Sequence, residues 1–112
     1  MGRAKEKIAV IGAGLMGHGI AQVFAIAGHA VKVYDAQAAA LDSLRSRIAG
    51  NLEKLGLPGG AEERVSGHPT IAEAVGDADF VVEAAPEKVA LKQAIFAELV
   101  ARVRRRTASA QL

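Results

Sequence analysis

"VIGAGLMGHGIAQ", residues 10–22, is the stretch from which the rest of this chain can be read. It places Gly12, Gly14 and Gly17 between apolar neighbours. Glycine is costly in an ordered segment, so three at fixed offsets imply that something must approach the backbone closely. "KIAVI", Lys7 to Ile11, precedes them and reads as a short, buried, β-branched strand. After them Leu15, Ile20, Val23, Phe24 and Ala27 recur at threes and fours. That is helical spacing, and Gly28-His29 stops it with glycine in the C-cap role. A glycine turn between strand and helix has a physical purpose. Gly12 makes the tight turn, Gly14 lets a pyrophosphate lie on the backbone without meeting a Cβ, and Gly17 lets helix and strand pack closely. The free N–H groups and positive end of the helix favour the phosphate charge. No Lys-Ser/Thr pair follows, so this is not a triphosphate-binding loop.

Working outward, "AVKVYD", Ala30 to Asp35, alternates as a second strand and ends on an acid 18 residues after Gly17. A carboxylate at that point can accept both hydroxyls of an adenosine ribose. It would repel a 2′-phosphate, and no Arg or Lys follows at once to receive one. The spacing therefore predicts NAD rather than NADP.

The remaining elements follow from periodicity and punctuation. Ala36 to Leu55 reads as one long Ala/Leu/Arg helix stopped by Gly56 and Pro58. "LPGGAEERVSGHP" reads mostly as loop, with a minimal third strand near His68 to Thr70. Ile71 to Val75 is a short helix ended by "GDAD", and Phe80 to Ala84, "FVVEA", is a fourth strand. Pro86 suits the first turn of a helix that runs to about Val103 on Val89, Phe96, Leu99 and Val100. Strands alternating with helices imply a parallel sheet built from right-handed crossovers.

Composition sets the limits. The chain has 112 residues, enough for one small domain, and is 51% hydrophobic, so it can bury a core. No run of roughly 18 uncharged apolar residues offers a membrane span. Cysteine is absent, which excludes disulfides and thiolate chemistry and fits a cytoplasmic location. The net charge of +2 is unevenly spread: ten basic and twelve acidic residues precede Arg102, and the last eleven residues carry four arginines and no acid. The basic balance thus belongs to the C-terminal end and does not describe a nucleic-acid-binding face.

Other polar residues carry weaker signals. His18, in the first turn of the phosphate helix, reads as a cofactor contact or, more simply, as a solvent-facing or helix-packing histidine. His29 reads as a turn residue. His68 has Glu73 five residues on, without metal-ligand spacing, and no metal site is expected. Glu83 ends the fourth strand, where ligands of α/β proteins sit, yet a hydrogen-bonding role fits equally.

"IAVIGAGLMGHGIAQVFAIAGHAVKVYDA" followed by "DADFVVEAAPEKVALKQAIFAEL" resembles the N-terminal domain of the 3-hydroxyacyl-CoA dehydrogenase family, from about Lys7 to about Val103. The first block is shared with other β-hydroxyacid dehydrogenases. The second is more specific: "VVEA", then "PE", then a Lys five residues after that Glu. The resemblance implies that Gly12, Gly14, Leu15, Met16 and Gly17 form the pyrophosphate loop and that Asp35 binds the ribose. It implies that Glu87 and Lys92 line the nicotinamide side. It also implies a fifth strand leading to an Asn-Thr-Ser segment, then a catalytic His with a Glu partner, then a helical domain. This sequence reads "RVRRRTASAQL" and stops.

The expected fold is an α/β, incomplete Rossmann-like doubly wound parallel sheet, strand order 3-2-1-4 with helices on both faces. Residues 1–112 are expected to be a partial NAD-binding domain without the fifth and sixth strands or the helical domain. The family chemistry is oxidation of a 3-hydroxyacyl-CoA to a 3-ketoacyl-CoA with NAD. Little turnover is expected of this chain alone, which has no catalytic residue in view. Two other readings stand beside it: a free-standing NAD-binding or sensing module that acts with a partner chain, and the cofactor domain of another β-hydroxyacid dehydrogenase with a carnitine-type substrate. In the order 3-2-1-4 the fourth strand is an apolar edge, so self-association is expected.

Overall fold

The computed structural model of the chain describes residues 5–84. Four parallel strands form one sheet: β1 (Ile8–Ile11), β2 (Val31–Tyr34), β3 (Val65–His68) and β4 (Phe80–Glu83). Their order is β3-β2-β1-β4, as the sequence predicts. Ile8 stands opposite Val31 on one side and Phe80 on the other, so β1 is central. All four residues of β1 are buried, which is why this strand is a continuous apolar run rather than an alternating one.

Helices cover both faces. On one face α1 (Leu15–Ile26) and α3 (Leu44–Lys54) pack over Ile8, Val10, Val31, Val33 and Val65. On the other, Ala9 and Ile11 pack with Val75 of α4 (Ile71–Val75) and Ala78. Of the residues that set the period of α1 only Ile20 and Phe24 pack against the core, and they are partly buried. Leu15 and Val23 are exposed, and Gly17, His18, Ala21 and Ala25 face inward. Small side chains let the helix axis approach the sheet, so the buried stripe is the one with the least bulk. Gly28 (φ +99°) closes α1: its N–H donates to Ala25 O, and the next N–H, from His29, donates to Phe24 O. Those two bonds make the left-handed helix ending expected of that glycine.

Two boundaries differ from the sequence reading. The helix expected over Ala36 to Leu55 is two, α2 (Ala38–Asp42) and α3, broken at Ser43. Ser43 Oγ donates to Ala40 O, and Arg47 takes up Ala40 O and Ser43 Oγ as well, so side chains replace helical bonds at the junction. The break lets Leu41 lie on Gly67 of β3 and Leu44, Ile48 and Leu52 enter the core. The third strand lies at 65–68, upstream of the expected 68–70, behind a 3-10 turn at Ala61–Arg64. Thr70, expected in the strand, instead caps α4 by accepting from Glu73 N at 3.2 Å. The helix expected from Pro86 falls outside the described residues.

Candidate functional site

The glycine loop leaves the carboxyl end of the central strand. Gly12 has φ +110°, a conformation that L side chains rarely adopt, and its N–H donates to Tyr34 O at 2.7 Å. A Cβ on Gly17 would fall within the van der Waals sphere of Gly12 O, so glycine there is what allows helix and turn to touch. A Cβ on Gly14 would meet no atom within 4 Å; it would project into open space. Gly14 is the N-cap of α1, with no side-chain cap and no acid in the first turn. The N–H groups at this helix end are therefore left for another acceptor. Leu15 and Met16 begin the helix with side chains 87% and 68% exposed, an unusual position for large apolar groups.

Asp35 sits at the end of β2 beside this loop. Its Oδ2 accepts from Ala13 N at 2.9 Å and its Oδ1 from Gln37 N at 2.8 Å. Both oxygens keep lone pairs free for further donors, since an ionised carboxylate has about four acceptor sites. The loop and the end of β2 thus bring together N–H donors, positive helix-end potential and a fixed carboxylate. That donor and acceptor set suits a dinucleotide: anionic phosphates over the helix end and ribose hydroxyls toward the acid.

Three residues that the sequence did not single out support the loop from α3 and α1. Arg47 Nη2 donates to Ala13 O at 2.8 Å. Asn51 Nδ2 lies 3.1 Å from His18 Nε2 and donates to Gln22 Oε1 at 2.8 Å. The only signal in the sequence is position: 47 and 51 each follow a buried residue of α3 by three, along the edge of the stripe Leu44, Ile48, Leu52. His18 is only 8% exposed, and its Nδ1 lies 3.0 Å from Gly14 O. It is the helix-packing histidine of the simpler reading rather than a solvent-facing one.

The other candidates are dispersed. His29 Nδ1 bonds Glu6 O at 2.8 Å, and its ring meets the edge of Phe24. His68 Nε2 is 2.8 Å from Ser66 Oγ, and its Nδ1 is 3.5 Å from Glu73. Glu83 stands opposite Ile11, exposed at the carboxyl end of β4. Glu87 and Lys92 lie outside the described residues. Among the described residues no group of three His, Cys, Asp or Glu could hold a metal ion. No helix among them is long and apolar enough to cross a membrane. A groove of about 540 Å³ runs along the β3 edge between Leu41, Arg45, Ser66 and Pro69, remote in sequence from the glycine loop.

Residues 7–110 match the family model described as 3-hydroxyacyl-CoA dehydrogenase, NAD binding domain. An L-carnitine dehydrogenase of Streptomyces griseus is 41% identical over 98 residues, covering 84% of this chain and 29% of that protein. A 3-hydroxybutyryl-CoA dehydrogenase of Mycobacterium tuberculosis is 37% identical over 106 residues, covering 88% and 37%. The crystal structure of a 3-hydroxybutyryl-CoA dehydrogenase from Escherichia coli superposes with a TM-score of 0.73 at 37% identity, covering 87% of this chain and 22% of that one. The chain spans between 21% and 37% of the length of these curated relatives and their like.

Proposed function

Since the chain belongs to the family of 3-hydroxyacyl-CoA dehydrogenase NAD-binding domains, we propose that it is the cofactor half of an enzyme that oxidises the 3-hydroxyl of an acyl-CoA. The observation that carries this reading is the Asp35 carboxylate fixed on Ala13 N at the mouth of the glycine loop. Gly12, Gly14 and Gly17 shape the pyrophosphate seat, and Leu15 and Met16 cover its flank. Asp35 accepts the ribose hydroxyls with the lone pairs that Ala13 and Gln37 leave free. Glu87 and Lys92 serve the nicotinamide side. Bound NAD supplies the hydride acceptor, and the protein supplies orientation.

The proton must go elsewhere. His18 has both ring nitrogens engaged, His29 is tied to Glu6 O, and His68 to Ser66. No other histidine occurs in the 112 residues. These three histidines are therefore not proposed as the general base, and the chain is taken as the cofactor part of a larger enzyme, since it covers 29% and 37% of the two relatives named above. β4 has one strand neighbour among the described residues, and Phe80 on it is 59% exposed. This edge pairs with further chain, its own or a second copy, and light scattering showing a strict monomer at high concentration would contradict self-association.

Calorimetric titration of NADH, with NADPH as control, tests the site. Saturable NADH binding and much weaker NADPH binding are expected; equal binding, or none to a folded chain, overturns the reading. A second reading is favoured by the L-carnitine dehydrogenases among the relatives, at 37–42% identity. It keeps the same cofactor half but gives the enzyme a small cationic hydroxy acid. Turnover of 3-hydroxybutyryl-CoA against L-carnitine by the protein that carries this domain separates the two.

A further inference from the structure

Side chains from α3 and α1 help to hold the glycine loop. Two of its carbonyls are contacted from behind. Ala13 O receives Arg47 Nη2 at 2.8 Å. Gly14 O receives the His18 backbone N–H at 2.9 Å and lies 3.0 Å from the His18 ring. Arg47 and Asn51 are four apart on α3, so they share a face and reach the loop side by side. The peptide bonds of the described chain are all trans. In a trans peptide the carbonyl and the following N–H point in opposite directions. Holding Ala13 O and Gly14 O back against α3 and α1 therefore aims the N–H groups of Gly14 and Leu15 outward, the direction in which an anion must lie.

The bonds around His18 also tie α3 to the loop. Gly14 O can only accept, so Nδ1 carries the N–H that donates to it, and Nε2 faces the Asn51 amide at 3.1 Å. Asn51 Nδ2 also donates to Gln22 Oε1, which seats the amide between α3 and α1.

We propose that α3 is a brace for the cofactor loop. Arg47, and Asn51 acting through His18, are positioning residues that keep the loop N–H groups aimed at the pyrophosphate. The inference rests on the reading of this loop as the dinucleotide site. Its consequence is that NAD affinity falls when either contact from α3 to the loop is cut.

Two measurements on the full chain test this. Nitrogen-15 NMR of the His18 ring without cofactor should show the Nδ1–H form; an Nε2–H form overturns the relay whatever the chain binds. NADH titrations follow. Arg47→Met, Asn51→Leu and His18→Leu should each weaken binding about three- to tenfold, one buried hydrogen bond's worth. His18→Asn, whose amide can still donate to Gly14 O, should lose less than His18→Leu, and His68→Gln should bind as the wild type does. A wild-type chain that binds no NADH brings down the reading of the loop and the brace with it. A chain that binds, but whose variants keep its affinity, overturns the brace alone.

Discussion

The two ends of the sheet use charge in opposite ways. At the amino end Asp77 lies 3.3 Å from Lys7 Nζ and 3.1 Å from Lys32 Nζ, so one carboxylate meets two ammonium groups. The hydrogen bond from Lys32 leads the effects that hold the Asp77 carboxyl below its ordinary range. At the carboxyl end Asp35 is held by backbone N–H groups of Ala13 and Gln37. Among the described residues no lysine or arginine forms a salt bridge with it. Arg47, which reaches the same loop, is spent on carbonyls. The contrast teaches where to look for function in a small α/β domain. Charges that cancel one another fasten the fold, and a charge fastened by neutral groups stays available to a ligand.

The comparison breaks most visibly at the loop itself. Gly17→Ala forces a Cβ onto Gly12 O, a backbone atom that cannot swing away. The expected cost is about 3 kcal/mol of stability, the upper range for overpacking, together with loss of NADH binding. Denaturant midpoints measure the first and calorimetry the second. Gly50→Ala, in the interior of α3 with nothing within 4 Å of the added carbon, should instead stabilise by about 0.5–1 kcal/mol. Equal effects at 17 and 50 would mean that the close contact of helix and turn does not constrain the chain.

Asp35→Asn comes next. It keeps the shape but removes the charge and acceptor capacity, so NADH affinity should fall roughly tenfold or more, a charged hydrogen bond's worth. NADPH should gain relative to NADH, because the repulsion of its 2′-phosphate goes. Unchanged discrimination would sink the ribose role.

The smallest effect belongs to the amino end. Asp77→Asn should cost less than about 1 kcal/mol, since the pair is 46% exposed on the acid side and screened by water. NADH affinity should not move. The sign of the pH effect follows from the lowered carboxyl. Its stabilisation is present above the ordinary value of 3.8 and is lost as the pH falls through the lower folded value. Wild type and variant should therefore converge in acid, and high salt should narrow their gap at neutral pH.

Much of the fold is legible because it rests on local rules. A glycine turn after an apolar run, an acid at the next strand end and alternating elements lead to the order β3-β2-β1-β4 without any tertiary information. Elements set by long-range contact are harder to read. "VSGH" carries one β-branched residue and a glycine, and it is a strand because β2 offers a ladder and Leu41 needs the space over Gly67. The break at Ser43 is invisible in an Ala/Leu/Arg run because it depends on Arg47 reaching Ala40 O. At the site, Gly12, Gly14, Gly17 and Asp35 stand together as read. His18 could not be placed from sequence, because the partners that bury it, Asn51 and the loop, come together only when α3 packs on α1.

The central position of β1 has a consequence during synthesis. Lys7 and Asp79, which bond at the foot of β1 and β4, are 72 residues apart in the chain. At a ribosomal rate of about 5–20 residues per second, β1 waits roughly 4–14 seconds for its second neighbour. Throughout that interval the most apolar strand of the sheet has at least one open edge, and for the nascent chain this is the period of greatest need for a chaperone.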